Sequence, residues 1–285
     1  MNNEQKQQIA EKLQEYAQRY ASQNKAANSL KGVSSATVSQ VLNGNWSLIK
    51  DEMWRNIATQ IGFNENQWQV VETRDFKALT HILTDAQYNS MVFGVIGDAG
   101  TGKSFCAKHY VQNHKRAYLL SCNEYWNRKY FLAELLRQMG EDHSGLTVAE
   151  MMMEVVSKLK KQEQPIIIMD EADKLTDQVL YFFITLYNQL EDHCGIALLA
   201  TDHLAKRVKK GLRLNKKGYK EIYSRIGRKF IELPGIGSTD VSQICRANGI
   251  NENKTIKDIF QDSERDLRRV KRKIHATKNM NKQIG

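Results

Sequence analysis

Long apolar runs are missing from this 285-residue sequence. The longest, such as Pro165 to Met169, fall far short of the ~20 residues that a membrane-crossing helix needs, so no membrane partner is expected. The opening residues, Met1-Asn2-Asn3-Glu4-Gln5-Lys6, lack the apolar core of a secretion signal, and a cytoplasmic location is expected. Cysteine is sparse: Cys106, Cys122, Cys194 and Cys245 are widely spaced and form no Cys-x-x-Cys pair. That pattern argues for reduced, mostly buried thiols over a disulfide framework. Cys106 and His109 have a helical metal spacing, but no second pair completes a zinc site. Internal repeats and low-complexity segments are also lacking.

Acidic residues are nearly missing from one stretch. Between Lys206 and Lys229, eleven Lys and Arg are opposed by Glu221 alone, so the whole formal net charge of +10 falls here and the remainder is neutral. A local basic excess of this kind marks a polyanion-binding surface, although a single basic run is more commonly a solvated face. A second cluster, Arg265 to Lys282, is offset by acids elsewhere.

Two textures follow one another along the chain. Up to about residue 65 the sequence reads as helical, with Ile9, Leu13, Tyr16 and Tyr20 at helical spacing. Further helices are expected over Asn24 to Leu30, Ser35 to Leu42 and Lys50 to Ile61, and Gln69 to Ala86 reads as a mixed connecting stretch. From Met91, apolar strands alternate with helices. Strands are expected at Val92–Ile96, Ala117–Leu120, Ile166–Met169, Ile196–Ala200 and Phe230–Leu233, which predicts a parallel sheet covered on both faces. After Pro234-Gly235 only short helices remain. The expected organisation is a helical domain over 1–68, an α/β core over 69–233 with 69–90 as its connecting segment, and a small helical lid with a basic tail over 234–285.

Gly97-Asp98-Ala99-Gly100-Thr101-Gly102-Lys103-Ser104 fits the phosphate-loop pattern Gly-x-x-x-x-Gly-Lys-Ser/Thr, and it lies between an expected strand and an expected helix. Glycines let such a loop curl so that its amides point at phosphate oxygens at the positive end of the helix. Lys103 would reach the β- and γ-phosphates of ATP, and the Ser104 hydroxyl would bind Mg2+. Ile166-Ile167-Ile168-Met169-Asp170-Glu171 supplies the complement: a buried strand delivers Asp170 to the metal, and Glu171 is placed to orient and deprotonate water. The acidic pair favours ATP hydrolysis over binding alone.

Ala197 to Thr201 forms a strand ending in a polar residue, and Ser224-Arg225-Ile226-Gly227-Arg228 precedes the last strand. This order resembles the AAA+ ATPases. The resemblance implies an α/β P-loop AAA+ core with five parallel strands between helices, an N-terminal all-α helix-turn-helix domain and a C-terminal lid. It implies Thr201 as a first sensor and Arg225 as a finger reaching a neighbour's γ-phosphate, with Arg228 as the alternative. Arg268, in Asp266-Leu267-Arg268-Arg269, would be the second sensor, with Arg269 as the alternative. A finger supplied in trans requires a ring or filament.

Asn24 to Gly44 reads as a helix-turn-helix similar to phage-repressor-type DNA-binding domains. Val38, Val41 and Leu42 are its expected core, and Ser35, Thr37, Ser39 and Gln40 face outward for phosphate or base contacts. A helical bundle without a DNA role is the plainer alternative. Arg128 and Lys129, after the second strand, and Lys206, Arg207, Lys209 and Lys210, in an expected long basic loop over Lys206 to Lys220, are candidates for following a duplex through phosphates alone. Trp126 reads as packing. Domain order and motifs together resemble the target-DNA activators of transposition typified by MuB of phage Mu. That resemblance implies an ATP-dependent filament or ring on double-stranded DNA, recruiting a transposase. A helicase loader or replication initiator, and an ATP-switched helix-turn-helix regulator, are the competing readings.

Overall fold

Apolar residues at three- and four-residue spacing fold the start of the chain into helices α1 (Asn3–Ala17), α2 (Gln23–Asn28), α3 (Ser35–Leu42) and α4 (Asp51–Gln60). Ile9 and Leu13, Val38 and Val41, and Trp54 and Ile57 meet in one core, with Leu42 partly buried at its edge. Ser34 caps α3 by accepting the Thr37 amide at 3.0 Å. The turn between α2 and α3 is held from α4: the Gln60 amide group accepts from Lys31 N at 2.6 Å and donates to Lys31 O at 2.8 Å. The structure, a computed structural model, describes residues 1, 3–18, 20, 22–63 and 68–284, which separate into two compact units, Met1–Gln69 and Val70–Gly285.

The second unit begins with α5 (Arg74–Tyr88) and then alternates: β1 (Val92–Ile96), α6 (Lys103–Asn113), β2 (Ala117–Ser121), α7 (Arg128–Gln138), α8 (Val148–Lys160) and β3 (Ile166–Asp170). A short 3-10 turn, Ala172–Lys174, leads to α9 (Asp177–Leu190), β4 (Gly195–Ala200), α10 (Asp202–Arg213), α11 (Tyr219–Arg225) and β5 (Phe230–Glu232). Helices α12 (Ser238–Ala247), α13 (Asn253–Ser263) and α14 (Leu267–Ile284) follow.

The five strands are parallel in the order β2-β3-β4-β1-β5. Every residue of β3 and β4 is buried, as a strand covered on both faces requires, which is why both read as unbroken apolar runs. One face is covered by α5 and α6 through Phe76, Leu79, Leu83 and Tyr110. The other is covered by α7 to α11 through residues such as Leu132, Val155, Phe183 and Val208. All four cysteines are free and buried, and burial pushes the thiols of Cys106 and Cys245 up to about 11.

Three expectations are corrected. The stretch Gln69 to Ala86 is no loose connector: from Arg74 it is α5, capped by Thr73, and its apolar stripe closes one face of the sheet. The basic stretch Lys206 to Lys220 is no long loop. Leu204, Ala205, Val208 and Gly211 recur at helical spacing and are buried as the inner face of α10, and α11 follows a short turn. The last helix is not short: α14 runs from Leu267 to Ile284 and takes in the basic tail.

Gly195 shows how closely α5 approaches the sheet. A Cβ there would collide with the backbone carbonyl of Ala86, near the end of α5. Backbone cannot swing aside as a side chain can. Gly195→Ala is therefore expected to destabilise the second unit by about 1–3 kcal/mol, read by urea unfolding; an unchanged midpoint would show that α5 yields freely.

Candidate nucleotide site

Parallel pairing places the carboxyl ends of β1, β3 and β4 side by side, and the three segments leaving them form the site. Leaving β1, the phosphate loop curls through Gly100 and Gly102, both with φ in the left-handed region (81° and 95°) where glycine has no Cβ to clash. Thr101 is buried and donates to Asp98 O at 2.9 Å, bracing the loop from within. Gly97 N donates to Ala200 O at 3.2 Å, tying the loop's start to the end of β4.

Lys103 opens α6 and folds back over the loop, donating to Gly97 O at 2.6 Å and Asp98 O at 2.8 Å. Burial pulls its pKa below the usual lysine value, against the opposing attraction of Asp170, Asp173, Asp98 and Asp75. Asp170 ends β3 as a buried carboxylate, 4% exposed. Burial raises its pKa, while a hydrogen bond from Ser104 and the Glu171 amide work the other way. Ser104, Lys103 and Asp170 are thus gathered in one cluster. A hydroxyl facing a buried carboxylate is a donor set suited to Mg2+, and a curled glycine loop with a partly desolvated ammonium suits a polyphosphate.

Glu171 leaves the sheet in the left-handed region (φ 55°) and its carboxylate pairs with Lys174 at 2.8 Å. Thr201 follows β4, between the two motifs. Its hydroxyl donates to Asp173 Oδ2 at 3.0 Å, a partner with no signal in the sequence. Arg225 lies apart from this cluster. Its guanidinium stacks over Tyr187 at 4.9 Å and donates to Asn188 at 3.1 Å, and its Nε is buried without a partner. Arg228, the alternative, is exposed.

The start of α14 rests on the phosphate loop: Leu267 N donates to Gly100 O at 2.9 Å, and a Cβ on Gly100 would run into the Asp266 carboxylate. Asp266 also accepts from the Arg268 amide at 2.7 Å, so one carboxylate caps the helix at the loop. Arg268 is exposed beside it, whereas Arg269 is paired with Glu264 at 2.7 Å. Two buried carboxylates join the starts of α5 and α12 behind this contact. Asp240 accepts from the amides of Gly237 and Arg74, both at 2.9 Å, joining the starts of α12 and α5. Asp75 Oδ1 accepts from Gly235 N at 2.9 Å, and its Oδ2 is buried without a partner. Periodicity carries no signal for these residues, because they cap helix ends instead of lining faces.

The candidate DNA contacts fall in several places. Arg128 and Lys129 are exposed on the first turn of α7, and Lys209 and Lys210 are exposed on α10. Lys206 is exposed too, but paired with Asp202. Arg207 is withdrawn from that surface, its guanidinium committed to Asp177, Leu175 O and Tyr219. Ser35 is exposed on α3, Gln40 is half-buried, and the Thr37 hydroxyl is 2.8 Å from that of Ser34. Trp126 is buried in the core.

Residues 87–208 match the family model for an AAA domain. Among solved structures, the crystal structure of Cdc6p from Pyrobaculum aerophilum matches with a TM-score of 0.50 at 17% sequence identity, covering 70% of this chain and 58% of that one. The match thus spans less than two thirds of that protein's length. No curated protein sequence matches this chain. At such identity the likeness establishes fold alone. The core is an α/β P-loop AAA+ core of five parallel strands flanked by helices, within an AAA-type ATPase domain.

The buried Asp75 carboxylate yields a pH prediction. Burial raises the Asp75 pKa above its ordinary 3.8, so the folded state holds this proton more tightly than the unfolded chain. Stability from this group is greatest below 3.8 and is lost as pH rises through the raised value. Asp75→Asn keeps an acceptor for Gly235 and removes the titration. Urea unfolding across a pH series should show a shallower decline for Asp75→Asn; parallel curves would mean that Asp75 is not desolvated.

Proposed function

We propose that this chain is an ATP-hydrolysing protein that binds double-stranded DNA without regard to sequence, assembles along it, and recruits a transposase to that target, with hydrolysis driving disassembly. The observation that carries the reading is that α10 and α7, which bear exposed basic residues, both start at the sheet edge where the candidate nucleotide site lies. Helix α10, with Lys209 and Lys210 exposed, starts one residue beyond Thr201, and α7, with Arg128 and Lys129, follows β2 at the same carboxyl edge.

In this reading Lys103 leaves its carbonyl partners for the β- and γ-phosphates, and the amides of residues 97–104 cradle them. Ser104 and Asp170 would hold Mg2+, which when bound neutralises charge developing on the phosphates. Glu171 released from Lys174 orients and deprotonates water, and Thr201 holds that water from the side. Arg268 contacts the nucleotide from above. Arg225, on an outer helix away from its own phosphate loop, serves the neighbouring subunit's site, so turnover requires assembly. Phosphate contacts by lysines and arginines give affinity without sequence preference.

A replication initiator or helicase loader would use the same core, and the likeness to Cdc6p is compatible with either role. Those proteins usually carry their main DNA-binding domain after the lid, whereas the α2–α3 pair here precedes the core, which favours the transposition reading. A helix-turn-helix regulator would instead bind one sequence as a discrete dimer, with little turnover.

Lys103→Ala is expected to lose ATP-dependent retention on random-sequence duplex in a filter or anisotropy assay. Glu171→Gln should retain ATP-dependent binding while turnover falls by about 10²-fold or more. Turnover at the wild-type rate would remove Glu171 as the base. Lys209→Ala with Lys210→Ala should weaken binding equally across sequences and lower the salt slope by about one for each lysine–phosphate pair removed.

A further inference from the structure

Arg207 sits within the most basic run of the chain, yet its guanidinium turns inward. Helix α10 buries Leu204, Ala205 and Val208 and exposes Lys206, Lys209, Lys210 and Arg213. From between these faces, Arg207 Nη1 donates to Leu175 O at 2.6 Å and reaches Asp173 O at 3.4 Å. Its Nε donates to Asp177 Oδ1 at 3.1 Å, and Nη2 pairs with the same carboxylate. Tyr219, nearly fully buried, donates to that oxygen at 2.9 Å. Burial alone would raise the Asp177 pKa, but the hydrogen bonds from Arg207 and Tyr219 outweigh it and hold the carboxyl below its ordinary value.

The gripped residues, Asp173, Leu175 and Asp177, alternate along the strap that leaves Glu171. The same strap is gripped again where α10 begins, by the Thr201 hydroxyl on the Asp173 carboxylate. Helix α10 is therefore fastened at two points to the segment that carries Glu171, while its opposite face offers lysines to solvent. Glu171 itself stands in the left-handed region and is paired with Lys174 of the same strap, so movement of the strap bears directly on that pair.

We propose that Arg207 is a positioning residue that couples duplex binding on the exposed face of α10 to the placement of Glu171, so that DNA sets the rate of ATP hydrolysis. The coupling rests on the ATP- and duplex-dependent reading above. A duplex shifts the strap only to the extent that it binds one position of α10 more tightly than another. Arg207 transmits that preference without touching the DNA.

The test compares ATP turnover with and without saturating random-sequence duplex, and measures duplex affinity separately, for the wild type, Arg207→Ala, Arg207→Lys and Lys209→Ala with Lys210→Ala. Arg207→Ala should bind duplex as the wild type does, while its stimulation by duplex, read as the ratio of turnover with and without DNA, drops by about fivefold or more. Arg207→Lys retains a cation beside Asp177 but lacks the fork that also spans Asp173 O and Leu175 O, and should fall between the two. The lysine double variant should show the converse, weaker binding with stimulation restored once duplex is saturating. Hydrogen exchange on the wild type should change over residues 171–177 when duplex is added, a readout that needs no substitution. Full stimulation in Arg207→Ala, or unchanged exchange in that segment, overturns the coupling. Loss of duplex affinity in Arg207→Ala makes it a surface contact and overturns it as well. Failure of the wild type to bind random duplex at all overturns the underlying reading instead, and the separate affinity measurement tells the two failures apart.

Discussion

Everything at the candidate site depends on the parallel pairing of β3, β4 and β1, which brings the ends of three buried strands to one edge. A carboxylate such as Asp170 resists burial, and it is tolerated here because the strand's apolar residues hold it in place and Ser104 and the Glu171 amide partly solvate it. The same edge sets Gly97 against Ala200 and leaves Thr201 between the two motifs. A desolvated acid and a desolvated lysine facing one glycine loop form a place prepared for a polyphosphate and its cation.

Around that edge, side chains at helix ends do the joining. Asp240 serves the starts of α12 and α5 together, Asp266 caps α14 against Gly100, and Arg207 fastens α10 to the strap beyond Glu171. Of these, Asp266 meets the phosphate loop itself, Asp240 joins the two helix starts, and Arg207 holds the segment beyond Glu171. The start of α14 thus rests on Gly100 and α10 is fastened to residues 173–177, on either side of the candidate site.

The core was legible where burial leaves a pattern. The run Ile166 to Met169 and the phosphate-loop glycines announce a strand and a curled loop, and both lie where their composition places them. Helix α5 was hidden because its stripe of Phe76, Leu79 and Leu83 is diluted by exposed polar residues and follows no strand. The lysines around α10 mask a regular inner face of Leu204, Val208 and Gly211, so a dense charge run there hides a helix. Arg207 points inward among these lysines, and a basic residue among basic residues carries no sign in sequence of which way it points. The contacts of Asp173, Asp177 and Asp266 leave no trace in the sequence because their partners are distant in the chain or are backbone groups.

The central claim is that ATP controls assembly on duplex DNA, and electron microscopy of the protein with random-sequence duplex in ATP and in ADP tests it most directly. Regular filaments or stacked rings along the DNA in ATP alone are the predicted result. Discrete dimers at one sequence, indifferent to the nucleotide, would contradict it.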